Sequence, residues 1–383
     1  MLPLEGIRIV EVGTVLMAPY AAQWLADLGA DVVKVEPPGG DQTRTTGPAR
    51  EAGMAAMFLA LNRNKRSIAI DLKDPAGRED LHRLLASADA LIHNIRPQKL
   101  EGLELDAATV RGRHPHLIYA SLGGFAAGGP YAGQPAYDDI IQGMTGVADL
   151  VRRQTGELRY APMALADKTC GIVAAMAICA ALTRRASTGK GTAIEVPMFE
   201  TMVAFNMVEN FLGCHFASEL GVMGYGRTLA GARGPYRTLD GHVSFMPYTD
   251  QQWLSFFAAV GREDLIADPR FASMTGRTDN IDELYTTLGD ILLTRSTAEW
   301  LTLADRTQIP AGPVLSLEDI LVDAQLAGSG FFAEAEDMAM GSLRFPGIPV
   351  TFDGIRPPVR MPPRLDENRK EILAELTPVR QQD

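Results

Sequence analysis

The sequence predicts an α/β protein with a Rossmann-like large domain, built on a parallel sheet, and a smaller α+β domain. The first observation that predicts this fold is the pattern of the opening residues. It consists of a β-branched run at 7–12, a segment with helical spacing at 18–29 and a second apolar run at 30–36. A strand, a helix and a strand in so short a stretch are typical of a parallel sheet. The second sign is that strand-like and helical runs keep alternating after this unit. The third is a shift near residue 220 to Gly, Arg and short hydrophobic residues, which indicates a linker.

The remaining elements follow from the same hydrophobic periods. After the first unit we expect strands just after residue 66 and at 90–94, 117–122 and 192–196, and helices at 75–86, from 135, at 172–182 and at 198–213. Beyond the linker we expect a hairpin at 235–245 that turns at Asp240-Gly241, helices near 251–260, 280–293 and 297–304, a strand and loop at 341–353 and a terminal helix at 368–376. The predicted domains are therefore 1–215, completed by 331–383, and 235–330, with a linker at 216–234.

Composition narrows the class of function. The chain has 383 residues, a net charge of -11 and 46% hydrophobic residues. An acidic chain of this kind argues against a nucleic-acid partner. Its three cysteines lack CxxC spacing, which predicts a reducing compartment and neither a disulfide nor a zinc framework. The N-terminus begins as a strand, so we expect a cytoplasmic protein with no signal peptide and no membrane partner. The loop at 13–18 lacks G-x-G-x-x-G, which argues against a nicotinamide or flavin dinucleotide.

An apolar run at 172–182 provides the most informative stretch. It is too short to span a bilayer and predicts a helix that is buried on all sides. Asp167 stands just before it, at the place of an N-cap, where a carboxylate is favoured by the helix dipole. The same carboxylate could instead be a nucleophile that the helix holds rigidly against a substrate. The residues around it leave both interpretations open.

Basic residues near strand ends are candidates for binding phosphate groups. Arg63, Lys65 and Arg66 precede a predicted strand, and Arg96 follows the strand at 90–94. A solvated basic turn explains the first cluster equally well, whereas a phosphate clamp is the functional interpretation. The glycine-rich segment Gly123–Gly129 follows another strand and indicates a mobile, close-packed ligand loop.

Taken in order, these segments resemble the family III CoA-transferases, most strongly from about residue 2 to 210. The matching segments are Leu4–Glu11, Leu28–Glu36, Asn62–Ser67, Asp71–Lys73, Asn94–Pro97, the pair Tyr137-Asp138, Ala166-Asp167 with Gly171, and Thr188–Gly191. The resemblance implies an obligate homodimer whose two chains are interlocked, with Asp167 as the catalytic nucleophile. It implies CoA contacts at Arg63, Lys65, Arg66, Arg96, Tyr137, Met17 and Ala18. The implied substrates are an acyl-CoA donor and a free carboxylic acid acceptor, with no metal and no permanently bound cofactor.

Two alternatives remain beside the transferase. The racemase branch that resembles α-methylacyl-CoA racemase has a His before the Asp where this chain has Tyr137, and a His suits α-proton abstraction. Tyr137 therefore favours a transferase. A non-catalytic CoA-binding protein is the other alternative. Leu16 replaces a Gln of the formyl-CoA transferases, and no glycine run follows Met246, so we expect neither formate nor oxalate as substrate. A short dicarboxylate or a branched acid is the expected acyl group.

Overall fold

A computed structural model describes residues 1–216 and 220–376 of the chain. Residues 217–219 of the predicted linker lie outside the described residues. So do residues 377–383, the last part of the segment that we expect to complete the large domain. The chain divides into two compact units. The first comprises 1–145, 161–205 and the chain from 325 onward, and the second comprises 146–160 and 206–324. The domain limits derived from the sequence stay predictions.

The first unit is organised around a six-stranded parallel sheet, as the sequence predicts. Its strands are β1 (Arg8–Val12), β2 (Asp31–Glu36), β3 (Lys65–Ala69), β4 (Ala90–His93), β5 (Ile118–Gly123) and β6 (Ala193–Pro197). Their order in the sheet is β3-β2-β1-β4-β5-β6, with every neighbouring pair parallel. The order reverses between β1 and β4, and ligands of parallel sheets bind at the carboxyl ends of the strands at such a point.

Helices and a hairpin complete this unit. The helices are α1 (Met17–Asp27), α2 (Ala56–Leu61), α3 (Pro75–Ala86), α4 (Pro97–Leu100), α5 (Ala107–Arg113), α6 (Asp138–Met144), α8 (Leu165–Thr188), the first part of α9 (Met198–Asn210), α17 (Ala324–Gly328, from its second residue) and α18 (Arg369–Glu375), with 3-10 turns at Gln42–Thr45 and Glu101–Leu103. The hairpin consists of β10 (Phe332–Asp337) and β11 (Gly341–Pro346). One face of the sheet is buried in a core of aliphatic side chains that includes Val10, Val33, Ile68, Leu85 and Leu91.

Helix α8 differs from its prediction in length and in burial. It has 24 residues and begins at Leu165, so Asp167 is its third residue, while Ala164 occupies the N-cap position without a side-chain cap. Ile172 and Met176 are 47% and 64% exposed. The prediction of a helix buried on all sides is therefore wrong, because an apolar pattern does not reveal which of its faces the same chain covers. By length and by a mean hydropathy of 1.7 the helix resembles a membrane span, yet it packs on α1 and on the sheet, as core helices do.

The second unit has a three-stranded antiparallel sheet and a separate aromatic core. Its strands β7 (Tyr236–Arg237), β8 (His242–Phe245) and β9 (Ala311–Pro313) lie in that order. The predicted hairpin around Asp240-Gly241 is confirmed, since Arg237 pairs with His242. The helices are α7 (Val147–Thr155), α10 (Gly226–Leu229), α11 (Asp250–Ala259), α12 (Glu263–Ile266), α13 (Met274–Asp279), α14 (Ile281–Leu292), α15 (Thr297–Thr307) and α16 (Leu317–Ile320), with the rest of α9 and a 3-10 turn at Leu212–His215. Trp253, Phe256, Phe257 and Trp300 form the centre of this core.

Candidate active site

The first turn of α1 lies directly against the helix that carries Asp167. A side chain at Gly171 would bring its Cβ within 3.0 Å of the carbonyl oxygen of Met17 and 3.4 Å of the backbone nitrogen of Ala21. Glycine is thus required for the close approach of α8 to the first turn of α1. Asp167 precedes Gly171 by four residues and so shares its face of the helix. Asp167 therefore lies on the face of α8 that packs on the first turn of α1, one helical turn before that contact.

Asp167 has an unusual charge environment. Burial and, to a smaller extent, the nearby negative charge of Asp138 together raise the pKa of its carboxyl group to about 6. The backbone N–H of Asp167 donates a hydrogen bond of 3.0 Å to Asp138 Oδ1. At neutral pH the Asp167 carboxylate is thus mostly ionised but poorly solvated, a state that suits a nucleophile.

Gln142 connects Asp138 to the segment that leads into α8. Its amide nitrogen donates to Asp138 Oδ2 at 2.5 Å and to the Met163 carbonyl at 3.1 Å. Its amide oxygen accepts from the backbone N–H of Ala161 at 2.9 Å. Our sequence interpretation assigned a role to the Tyr137-Asp138 pair but missed Gln142. The available signal was the spacing of Asp138 and Gln142, since an acid and an amide four residues apart meet on one helix face.

The turn after β4 approaches the same loop from the neighbouring strand. Asn94 and Thr14 exchange two hydrogen bonds of 3.0 and 2.8 Å. His93 supports this turn through a hydrogen bond, because its Nδ1 accepts from the backbone N–H of Ile95. The ring proton is therefore on Nε2, which donates to the Tyr119 hydroxyl at 2.7 Å. Burial lowers the pKa of His93 to about 4, so the ring stays neutral. Arg96 follows on the exposed surface, at the carboxyl edge of the sheet, as the sequence predicts.

The other three predicted phosphate-binding residues do not lie at this edge. Lys65 and Arg66 are the first two residues of β3, with Arg63 just before it, so their backbones lie at the amino end of the strand. Arg63 is bound to Asp27 at 2.7 Å, and Arg66 is bound to Asp31 and Glu375. These ion pairs, and the location at the opposite edge of the sheet, argue against the phosphate-binding role that we assigned from the sequence.

The amino edge has a cavity of its own. Arg66 lines a space of about 660 Å³ together with Arg8, Arg360 and Glu375, remote from the carboxyl ends of the strands. The ammonium of Lys65, by contrast, is fully buried and has three hydrogen-bond acceptors, namely Glu11 Oε2, the Pro19 carbonyl and Asn62 Oδ1. A phosphate cannot reach a side chain that is enclosed in this way. The sequence interpretation of Lys65 as a CoA-binding residue is therefore corrected.

Three further predicted contact residues lie near Asp167 but differ in exposure. Met17 and Ala18 are buried in the first turn of α1, so neither side chain offers a free surface. Tyr137 occupies the N-cap position of α6, directly before Asp138, and 67% of it is exposed. Of these three, only Tyr137 has a side chain open to a ligand. Its CoA contact remains a prediction.

The glycine-rich loop after β5 is held at its tip. The backbone N–H groups of Ala126 and Ala127 donate to the carboxylates of Glu200 and Glu195. The rings of Phe125 and Tyr131 pack at a tilt, with centroids 5.3 Å apart, and Phe199 packs against both rings. These two N–H groups are therefore occupied and do not form an oxyanion hole in this conformation.

Neither a metal-ligand cluster nor a histidine base contributes to this site within the described residues. Within 1–216 and 220–376, no three His, Cys, Asp or Glu side chains are clustered as a metal ion would require. No histidine in these ranges is hydrogen-bonded to Asp167 or Asp138; His82 instead contacts His114, and His93 contacts Tyr119. The geometry thus provides a carboxylate pair rather than a histidine base for chemistry at this site.

Comparison with known proteins identifies the family. The family model of CoA-transferase family III matches residues 4–369. The chain belongs to this family. This CoA-transferase is 33% identical to the succinyl-CoA:glutarate CoA-transferase of Mus musculus, over 98% of this chain and 87% of the mouse protein. It is 32% identical to the acetyl-CoA:oxalate CoA-transferase of Acetobacter aceti, over 97% of this chain and 96% of the relative.

Solved structures agree with this assignment. A CaiB/BaiF family protein from Brucella suis superposes on this CoA-transferase with a TM-score of 0.80 at 33% identity, covering 98% of this chain and all of the other. The resemblance inferred from the sequence is therefore confirmed, and so is the transferase activity. Neither the racemase nor the non-catalytic alternative is named among these relatives.

Proposed function

We propose that this CoA-transferase moves CoA between two carboxylic acids through covalent intermediates on Asp167. The Asp167 carboxylate attacks the thioester carbonyl of the donor, which forms a mixed anhydride and releases the CoA thiolate. The thiolate attacks the aspartyl carbonyl, so that the donor acid leaves and an aspartyl–CoA thioester remains. The acceptor carboxylate then attacks this thioester, which breaks the C–S bond, releases the CoA thiolate and forms a second anhydride. The CoA thiolate finally attacks the acceptor's acyl carbon and frees Asp167.

The environment of Asp167 is the observation that supports this mechanism. Its carboxyl group has a pKa of about 6 because it is partly buried and lies near the charge of Asp138. A poorly solvated carboxylate is a better nucleophile than one in water, and exclusion of water protects anhydrides and thioesters from hydrolysis. The Asp138–Gln142 hydrogen bond and the contact at Gly171 keep the turn of Asp167 in place. Each step needs only a carboxylate, a thiolate and a site that keeps the reacting groups correctly positioned.

Cations at the carboxyl edge of the sheet are the better candidates for the phosphates of CoA. Arg96 and Lys99 follow β4, Lys73 follows β3, and all three are exposed. No ion pair to any of them is formed by residues 1–216 and 220–376. These charges are therefore available to an anion, unlike Arg63, Lys65 and Arg66. We assign the phosphate contacts to Lys73, Arg96 and Lys99, of which only Arg96 was foreseen.

The substrate class is inferred from the relatives and from the loop near Asp167. The mouse relative is named for succinyl-CoA and glutarate, and the relative from Acetobacter aceti for acetyl-CoA and oxalate. Glutarate and succinate are short dicarboxylates, which agrees with our expectation for the acyl group. Leu16, at the start of α1, gives the loop an apolar side chain. We infer a short dicarboxylate as acceptor, and the expectation that neither formate nor oxalate is the substrate stays a prediction.

The interlocked homodimer belongs to the same proposal. Helix α8 exposes Ile172 and Met176 four residues apart, and α6 exposes Ile140 and Met144 at the same spacing. The two helices pack on each other, and the described chain leaves these four apolar side chains partly uncovered. Exposed apolar faces of this kind commonly mark an interface between subunits. A second copy of the chain is the partner that we infer.

Trapping the intermediate tests the proposal. Hydroxylamine attacks anhydrides and thioesters, so it should inactivate the enzyme only when an acyl-CoA donor is present, and the mass change should map to the peptide with Asp167. Succinyl-CoA with a panel of free acids, followed by mass spectrometry of the CoA esters, identifies the acceptor. Deuterium uptake at the α-carbon, with no CoA exchange and no sensitivity to hydroxylamine, would establish the racemase chemistry instead.

A further inference from the structure

A buried cluster of charges adjoins the loop between β1 and α1. Glu11 of β1, Lys34 of β2 and Lys65 of β3 have no exposed side-chain surface. Glu11 bridges the two lysines: its Oε1 lies 2.8 Å from Lys34 Nζ, and its Oε2 lies 2.7 Å from Lys65 Nζ. Lys34 Nζ also lies 3.0 Å from Asp41 Oδ2, an oxygen with no other hydrogen-bond partner in the described chain.

Both lysines extend from this cluster to the ends of the same loop. Lys34 Nζ donates to the Gly13 carbonyl at 3.0 Å, at the end of β1. Lys65 Nζ donates to the Pro19 carbonyl at 2.8 Å, in the first turn of α1. The loop between Gly13 and Met17 is therefore fixed at both ends by ammonium groups that share one carboxylate. An apolar side chain at position 34 would fill the space but would leave the Gly13 carbonyl without this donor, and one at position 65 would remove the link from Glu11 to the first turn of α1.

The loop itself has a backbone that few residues adopt. Val15 has a φ of 68°, in the left-handed region that a β-branched side chain strongly disfavours. A Cβ on Gly13 would lie 2.6 Å from that of Ala18, so the loop closes tightly on the start of α1. Strained backbone persists only where its surroundings hold it, and it is concentrated at functional sites. Here the holding groups are the two lysines at the ends and Asn94 at Thr14.

Stability alone gives little reason for such a cluster. Burying several charges carries a desolvation cost that their mutual attraction repays only in part, and apolar replacements of similar volume often match or exceed the stability. The Glu11–Lys34–Lys65 cluster makes contacts that no apolar set can make. Two of them fix the Gly13 and Pro19 carbonyls on either side of the loop, and the others bind Asp41 and Asn62. Positioning that loop is thus a role that these buried charges can fill and that apolar side chains cannot.

We propose that Glu11, Lys34 and Lys65 are positioning residues that hold the Gly13–Met17 loop and the first turn of α1 in place, and through them the turn of α8 that carries Asp167, for the transfer reaction. The inference rests on the proposed function, because it takes Asp167 as the nucleophile. None of the three touches the reacting atoms. They act through the Gly13 and Pro19 carbonyls and, across the contact of Met17 with Gly171, on the turn of α8 that carries Asp167.

The test compares Lys34→Met and Lys65→Met with wild type well below their unfolding temperatures. We expect kcat to fall about 100-fold, since small misplacements of reacting groups have effects of this size. The KM for succinyl-CoA should stay within about threefold, because the residues do not contact CoA. The rate of donor-dependent hydroxylamine labelling of Asp167 should fall in parallel. Folding is checked by circular dichroism and by the unfolding transition.

Arg185→Gln is the matched control. Arg185 lies at the far end of α8, where it pairs with Asp89 away from the loop. Its replacement should lower the unfolding temperature and leave kcat within about twofold. A cluster with a purely structural role would make Lys34→Met and Lys65→Met behave in the same way, with lower stability and unchanged kcat. That result overturns the proposal.

Val15→Gly keeps the proposal testable if the lysine variants fail to fold. It leaves every buried charge in place and relieves the strained φ, so the unfolding temperature should not fall much. The freed loop should lower kcat about tenfold, and wild-type kcat in this variant contradicts the inference. If the wild-type enzyme shows neither CoA exchange nor labelling of Asp167, the proposed function fails. If wild type and all variants are labelled equally fast, only the positioning role fails.

Discussion

Replacing Asp167 by Asn should abolish transfer and at the same time stabilise the protein. The side chains have the same shape, but Asn carries no charge that burial and Asp138 disfavour. A rise of the pKa from its ordinary 3.8 to about 6 corresponds to about 3 kcal/mol of destabilisation when the group is ionised in both states. Residual solvent contact and the positive end of the helix dipole reduce this to about 1–3 kcal/mol. For a chain of 383 residues, the unfolding temperature should rise by about 1–4 °C.

The pH dependence of this gain follows from the raised pKa. Below about pH 4, Asp167 is protonated in the folded and the unfolded states, so Asn gives no advantage. Between about pH 4 and 6 the unfolded state loses its proton first, so the stability of wild type falls relative to the variant as the pH rises. Above pH 6 both states are ionised and the difference is constant. Thermal unfolding of both proteins from pH 4 to 8 measures it.

Asp31→Asn is the control with the opposite sign. Burial disfavours the Asp31 carboxylate, but hydrogen bonds and charges from Arg66 and Arg8 outweigh burial and lower its pKa. That stabilisation is present above the ordinary pKa and is lost as the pH falls, so Asp31→Asn should lower the unfolding temperature at pH 7.5. An Asp167→Asn protein that is less stable than wild type at pH 7.5, or that retains transfer within tenfold, refutes the assignment of a buried, destabilised nucleophile.

Three further results are expected. In the pH profile of kcat/KM, the acidic limb should have its midpoint near pH 6, because Asp167 must be ionised to react. Asp138→Asn should move this midpoint to lower pH, since it removes a neighbouring negative charge. A midpoint near pH 4 in wild type contradicts the effect of burial. Arg96→Ala and Lys73→Ala should each raise the KM for acyl-CoA about threefold to tenfold, and by less at high salt. Arg66→Ala should leave this KM unchanged. The reverse pattern would restore the phosphate-binding role that the sequence suggested for Arg66. Light scattering at low micromolar concentration should find a dimer with slow subunit exchange, and a well-folded monomer would disprove the interlocked assembly.

Sequence patterns were sufficient for the elements and for the family. The strands of the parallel sheet, the helix at Pro75–Ala86 and the turn at Asp240-Gly241 were all foreseen, because periods of 2 and 3.6 residues and turn-forming pairs are local properties. The motif order also placed the chain in its family. Asp167 was foreseen as the candidate nucleophile on the same basis, and Asp138 as part of a motif.

The partners of charged side chains needed the tertiary structure. The local sequence around a basic residue beside a strand does not distinguish a phosphate-binding residue from one that pairs with a carboxylate distant along the chain. Lys65 is bound to Glu11, 54 positions earlier, and Arg66 to Glu375, 309 positions later. Burial of Asp167 and its raised pKa likewise arise from packing against α1 and from Asp138, 29 positions before it. Electrostatic energy depends on distance in space and on burial, and neither can be obtained from the local pattern that specifies a helix or a strand.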